Sequence, residues 1–212
     1  MTQSCCEIQP PNDLRQKRAL ILVLGINLLF FVGEGLAGLL AYSSSLLADA
    51  VDMGGDALVY LLSLMALSRG LSAKSKVALV NSSFEFILGI GVLIEAISKI
   101  FRDVEPLSST MFIVGGLALL ANLTSGWVLM RHRDKDINMR AVWVCTKNDI
   151  LNNTVTLAAA GLVHLFQNKW PDIIGGMLIA GLISFFSIRM LLEARGHFLE
   201  SSASETKASP EV

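Results

Sequence analysis

Residues 45–64 read SLLADAVDMGGDALVYLLSL, an apolar stretch that carries three aspartates. About 20 residues of helix cross the hydrocarbon core of a bilayer, so the stretch has the length of one membrane span. Asp52 and Asp56 are four residues apart and Asp49 precedes Asp52 by three, so a helix places all three on one stripe. An ionised side chain at the bilayer centre costs at least about 2.5–3.5 kcal/mol. The stretch therefore predicts a membrane helix whose acids have a function.

The rest of the chain repeats this pattern of apolar stretches separated by short polar segments. Of its 212 residues, 53% are hydrophobic and 17% are charged, which is too apolar for a disordered chain and too poor in charge for a soluble domain. The net charge of -1 argues against nucleic acid as a partner. We predict an all-α membrane protein with six transmembrane helices, at about 19–41, 46–68, 77–98, 111–130, 141–165 and 172–193.

Lysine and arginine residues set the predicted orientation, because they favour the cytoplasmic side of a membrane. They concentrate in the segments that would share one side: Arg15, Lys17 and Arg18; Arg69, Lys74 and Lys76; Arg131, Arg133, Lys135 and Arg140; and Arg195. Both termini are therefore predicted to be cytoplasmic, in a multi-pass protein of the cell membrane. We expect a flexible arm at 1–18, the transmembrane domain at 19–195 and a short disordered tail at 196–212.

Ionisable side chains inside the predicted spans are unbalanced in charge. Acids outnumber bases seven to one: Glu34, Asp49, Asp52, Asp56, Glu85, Glu95 and Asp149 against Lys147. Ion pairs within the protein cannot neutralise this excess, so protons or a bound cation must do so. The sequence has no glycine-rich phosphate loop and no Ser/His/Asp arrangement, so we expect neither an enzyme nor a prosthetic group.

A second pair of candidate ligands lies in the fifth predicted helix. Cys145 and Asp149 are four residues apart, as are Asp52 and Asp56. Two helices with two donors each can place four ligands around one ion, and carboxylates with a thiolate suit a tetrahedral divalent metal. The thiolate disfavours magnesium and calcium and favours zinc, cadmium or another thiophilic ion. If both helices begin at the serine and asparagine residues that precede them, Asp56 and Asp149 both approach the middle of the membrane.

Two stretches resemble the cation diffusion facilitator (cation efflux) family. Residues 45–64 are similar to its second helix, in which Asp or His at the position of Asp52 is followed four residues later by Asp. Residues 139–163, MRAVWVCTKNDILNNTVTLAAAGLV, are similar to its fifth helix, where a His-x-x-x-Asp pair is usual. The first helix and the LIEAI segment around Glu95 are also similar, so the resemblance covers about 19–195.

The resemblance implies a secondary transporter that exports divalent metal in exchange for protons, as a homodimer formed through membrane helices. It also implies a transport site made of Asp52, Asp56, Cys145 and Asp149. Cys145 stands where the family usually has His, which leaves the preferred metal and the coupling open. Fewer than about twenty residues follow the last predicted helix, so we predict a short form that lacks the family's C-terminal cytoplasmic domain.

Other polar residues are candidates for supporting roles. Asp49, Glu34 and Asn152 are candidates for positioning the ligands or for a proton path. Cys5 and Cys6 are interpreted as reduced cytosolic thiols, because no third or fourth ligand lies near them in sequence.

Two alternative functions stay open at this point. The same fold could carry manganese, iron or cobalt, or the chain could be a non-transporting membrane metal sensor or partner subunit. An intramembrane aspartyl protease is disfavoured, because its two catalytic acids belong on different helices whereas Asp52 and Asp56 share one.

Overall fold

The computed structural model describes the backbone of residues 14–65, 71–130 and 137–208. Within these ranges the undescribed side chains are those of 15–16, 63, 65, 71–78, 128–130, 137–145, 193–194 and 196–208. Most of the predicted arm, including Cys5 and Cys6, lies outside the described residues, as does the end of the predicted tail at 209–212.

Six α-helices make up nearly all of the described backbone: α1 (Leu14–Leu40), α2 (Ser44–Met65), α3 (Leu71–Ile100), α4 (Ser108–Met130), α5 (Ile137–Phe166) and α6 (Trp170–Ala208). The predicted all-α architecture and the order of its six helices are confirmed. The helix α6 extends beyond the predicted span and continues to Ala208, through the region where the sequence predicts a disordered tail. The apolar criterion ends at the bilayer, whereas Leu, Glu, Ala and Arg in 191–195 favour helix in water as well.

Four of the helices are long and apolar enough to cross a membrane, over Lys17–Leu40, Leu79–Ile100, Ser108–Trp127 and Trp170–Leu192. Among the described residues, α2 and α5 do not meet that criterion. In α2 the three aspartates are the reason, because they exceed the charge that a lipid-facing helix tolerates. A helix of this kind crosses a membrane only when other helices cover it.

The packing of α2 supplies that cover. On one side, apolar residues of α2 meet α3 and α6 in a cluster of Ala48, Val51, Val92, Ile179, Ala180 and Ile183. On another side, α2 meets α4 and α5 in a cluster of Leu46, Met111, Ala159 and Ala160. Because α1 packs along α2 as well, the aspartates of α2 face protein rather than lipid.

The connections α1–α2, α3–α4 and α5–α6 lie at one end of the bundle, which we call the outer end after the predicted orientation. Tyr42, with φ of 52°, turns the chain sharply between α1 and α2. The backbone N–H of Leu107 donates to the carbonyl of Ala41 at 3.0 Å, which joins the start of α4 to this turn. The side chain of Lys169 donates to the carbonyl of Ile100 at 3.3 Å, which joins the α5–α6 turn to the end of α3.

A buried ionic network fixes the outer end of α2. The carboxylate of Asp172, on α6, accepts from the backbone N–H groups of Ser44 at 2.8 Å and Ser45 at 3.1 Å. The hydroxyls of Ser43 and Ser45 each donate to the same carboxylate at 2.7 Å. Lys99, on α3, forms an ion pair with it at 2.6 Å, and both side chains are almost fully buried. Asp172 therefore caps the amino end of α2, where N–H groups lack helical partners.

Candidate metal site

The helices α2 and α5 run antiparallel and touch through polar side chains. The side-chain amide of Asn152 donates to Asp52 Oδ2 at 2.7 Å, and the hydroxyl of Thr156 donates to the carbonyl of Ser45 at 3.4 Å. Asp149 precedes Asn152 by one turn of α5 in the direction in which α2 continues from Asp52 to Asp56. The two antiparallel helices therefore carry Asp56 and Asp149 to the same depth.

The carboxylates at that depth are buried. Asp56 is 8% exposed and Asp149 is 1% exposed. The phenolic hydroxyl of Tyr60, one turn along α2, donates to Asp56 Oδ2 at 3.2 Å. The side-chain amide of Asn153 donates to the backbone carbonyl of Asp149 at 2.8 Å, a hydrogen bond within one turn of α5. Asp52, Asp56 and Asp149, three of the four predicted ligands, therefore belong to the stretches of α2 and α5 that pack against each other.

Cys145, the fourth predicted ligand, belongs to α5 one turn before Asp149, but its side chain lies outside the described residues. Among the described side chains, no group of three or more His, Cys, Asp or Glu residues is arranged to hold a metal ion. Asp52, Asp56 and Asp149 alone therefore do not form a closed cage, and the assignment of Cys145 stays a prediction.

Two of the predicted supporting residues lie beside the site, on the interface between α1 and α2. Glu34 and Asp49 are both fully buried. The carboxylate of Glu34 interacts electrostatically with both Asp49 and Asp52, so the three acids form one group on the outer side of Asp56. The third predicted supporting residue, Asn152, holds Asp52 directly.

Glu85, on α3, also reaches the site, which the sequence analysis does not predict. Its carboxylate accepts from the amide of Asn81 and from the hydroxyl of Ser187, on α6, each at 2.7 Å. It lies against Gly55 so closely that a methyl group there would be 2.7 Å from Glu85 Cγ. Its charge acts on Asp52, which also accepts the hydrogen bond from Asn152. The pair of glycines before Asp56 is the sequence signal for this contact, because a glycine inside a helix often marks a place where another helix packs closely.

The bundle thus has a polar interior in which buried acids lie between its helices. The model of the cation efflux transmembrane domain matches residues 20–199. The chain belongs to the cation efflux family. This match includes most or all of each of the six helices, and it identifies the chain as a multi-pass membrane protein of that family.

Curated relatives are named as metal transporters. The zinc transporter ZitB of Yersinia pestis is 29% identical over 209 residues, which are 92% of this chain and 66% of that protein. The cadmium, cobalt and zinc/H(+)-K(+) antiporter of Bacillus subtilis is 22% identical over 81% of this chain and 60% of its own length. The metal cation efflux system protein CzcD of Cupriavidus metallidurans is 25% identical over 74% and 53%. The chain spans about two thirds or less of the length of these relatives.

Proposed function

We propose that this chain is a secondary transporter that exports divalent metal cations through a site made of Asp52, Asp56, Cys145 and Asp149. The hydrogen bond between Asn152 and Asp52 is the observation that supports this most directly, because it brings the acids of α2 to the face of α5 that carries Asp149. Buried acids in excess of bases need a cation to neutralise them.

The donor types define the class of substrate. Carboxylate oxygens with one thiolate suit zinc and cadmium, with Zn–O of about 2.0–2.2 Å and Zn–S of about 2.3 Å. ZitB is named a zinc transporter, and the Bacillus subtilis relative is named for cadmium, cobalt and zinc, which agrees with that donor set. Manganese and iron, with harder ligand preferences, are the second candidates, and cobalt stays between the two groups.

Transport follows from exposing this buried site first to one side of the membrane and then to the other, as in other secondary transporters. Metal binding requires deprotonated carboxylates and a thiolate, so protons that enter the open site favour release of the metal. Proton antiport is therefore the proposed coupling. The predicted homodimer and the cell membrane as location stay predictions, as does the absence of enzyme activity.

Uptake of zinc and cadmium into proteoliposomes tests this function. Asp56→Ala removes one proposed ligand, and we expect at least about a 100-fold lower initial rate, since three remaining donors leave the site incomplete. Asp103→Ala is the matched control, because it deletes an exposed carboxylate in the α3–α4 connection and keeps normal transport. Equal rates for both variants would contradict the proposed site. A wild type that binds zinc tightly but moves none would favour the sensor alternative.

Replacement of the thiol tests the role of Cys145. Cys145→His restores the residue that the family usually has, and an imidazole is a harder ligand than a thiolate. We expect the ratio of cadmium to zinc transport to fall by about tenfold in this variant. An unchanged ratio, with transport retained, would show that the thiol does not contact the metal.

A further inference from the structure

Both carboxylate oxygens of Glu34 and both of Asp49 have no hydrogen-bond partner among the described residues. Both side chains are fully buried. The other acids of the outer half are partnered, since Ser44 donates to Glu95 at 2.7 Å and Asp172 accepts from several groups. A buried polar atom without a partner carries the full cost of its desolvation, so these four oxygens need an explanation.

The close packing of α1 on α2 places Glu34 at a defined height. A methyl group on Gly54 would lie 2.7 Å from the ring of Phe31, and one on Gly38 would lie 2.9 Å from Leu47 Cγ. The two helices are therefore in direct contact both before and after Glu34. Because they run antiparallel, Glu34 lies across from residues 50–52 of α2, between the levels of the two neighbouring aspartates.

No base compensates these acids among the described side chains that pack against them. The helix α4 has no charged residue at all. Lys99, on α3, is engaged by Asp172, and Lys147, on α5, is exposed. The other ionisable neighbours are acids, Asp52 and, beyond it, the carboxylates of the transport site. Protons on the carboxyl groups or a bound cation must therefore neutralise them.

The missing donors point to a bound cation as one way to satisfy these oxygens. No N–H or O–H group among the described residues donates to the oxygens of Glu34 or Asp49. A divalent ion binds carboxylate oxygens at about 2.0–2.6 Å, so it would supply both the missing contact and the missing positive charge.

We propose that Glu34 and Asp49 form a second cation position, an exit station that receives the divalent metal from the transport site before release. Asp49 lies five residues from the outer start of α2, whereas Asp56 lies twelve residues from it, so the station is nearer the outer end by about 10 Å. Asp52, a proposed ligand of the transport site, also interacts electrostatically with Glu34 and so links the two positions. This inference rests on the proposed function, since it assigns a further step to the same cargo.

The station binds more weakly than the transport site. It offers two carboxylates and no thiolate, and among the described side chains no third His, Cys, Asp or Glu completes it. Water or backbone carbonyls supply the remaining ligands of a divalent ion in such a site. Weak binding suits an exit position, because an ion must leave each site along its path as readily as it enters.

Equilibrium zinc binding to the full chain in lipid nanodiscs tests the proposal. We expect the wild type to show two classes of site, the weaker with a Kd at least about tenfold higher. The double variant Glu34→Gln and Asp49→Asn removes only the weaker class, and Asp56→Ala weakens only the tighter one. Glu95→Gln is the matched control, since it neutralises an outer acid that already has a partner and leaves both classes intact. Thermal unfolding of each variant establishes that it is folded.

Transport rates give an independent readout of the same station. The double variant retains the zinc concentration for half-maximal uptake within about twofold, whereas its maximal rate falls by about tenfold, because release loses a step. A wild type with a single class of zinc site, together with a double variant of unchanged maximal rate, overturns the exit station and leaves the proposed function standing. A wild type that neither binds nor moves zinc overturns the proposed function itself.

Discussion

Replacement of Asp172 by alanine is the most demanding test of the packing that positions the site. The substitution removes the partner of Lys99, which is paired at 2.6 Å and almost fully buried. Breaking a buried ion pair from one side costs about 3–5 kcal/mol, because an uncompensated charge remains. The amino end of α2 also loses its cap from Ser44 and Ser45, which is worth about 0.5–2 kcal/mol. We expect Asp172→Ala to lower the free energy of unfolding by about 3.5–7 kcal/mol in total.

A double-mutant cycle separates the two contributions. Lys99→Met together with Asp172→Ala removes both charges, so the loss returns to about 0.5–2 kcal/mol, the cost of the missing cap. Reversible unfolding in mixed detergent micelles measures each variant, and Asp103→Ala, at an exposed position, should stay within about 0.5 kcal/mol of the wild type. A cost below about 1 kcal/mol for Asp172→Ala would show that Lys99 reaches water without its partner. That result would refute the description of this network as a buried anchor.

Three further predictions concern the site and its coupling. Gly55→Ala should displace the Glu85 carboxylate and lower the free energy of unfolding by about 1–3 kcal/mol. Its control is Gly25→Ala, on α1 with open space beside it, which should be neutral or stabilising by about 0.5–1 kcal/mol. Thermal unfolding compares the two variants, and equal effects would contradict the close contact between Gly55 and Glu85. Asn152→Ala removes the donor to Asp52 and should weaken zinc binding by about 10- to 100-fold, as measured by competition with a fluorescent chelator; unchanged affinity would show that Asp52 needs no support from α5. A lumen more acidic than the outside should accelerate zinc uptake into proteoliposomes, and zinc uptake should make the lumen less acidic; a rate independent of the gradient would exclude proton antiport.

The physics of the bilayer explains how much of the fold could be predicted from the sequence. Segments of about 20 mostly apolar residues are stable in a bilayer only as helices, so the six helices and their order could be predicted from the alternation of apolar and polar segments, even though, among the described residues, α2 and α5 do not meet the apolar criterion that the other four helices meet. Helix ends were less predictable. The apolar criterion stops at the membrane surface, whereas α6 continues to Ala208, and Leu, Glu, Ala and Arg in 191–195 favour helix where the apolar segment ends.

Part of the candidate site could be predicted from the sequence for a similar reason. Asp52 and Asp56 are one turn apart in a segment that lipid would otherwise exclude, so their spacing and their cost indicated a shared function before any packing was known. Glu85 is one of the acids inside the predicted spans, but its place beside Asp52 did not follow from the sequence of α3. Its partners Asn81 and Ser187 lie on α3 and α6, and no pattern within one helix reveals which residue of another helix reaches it.

By itself, then, the sequence determined the membrane class, the number of helices and the helices that carry the acids, because burial in lipid penalises each charge separately and locally. Only the tertiary structure decided the neighbours of each acid. It placed Asp172 on the amino end of α2, Asn152 on Asp52, and Glu34 opposite Asp49 without a hydrogen bond. Contacts between helices depend on rotation and register, which the side chains of several helices set together and which no single segment specifies.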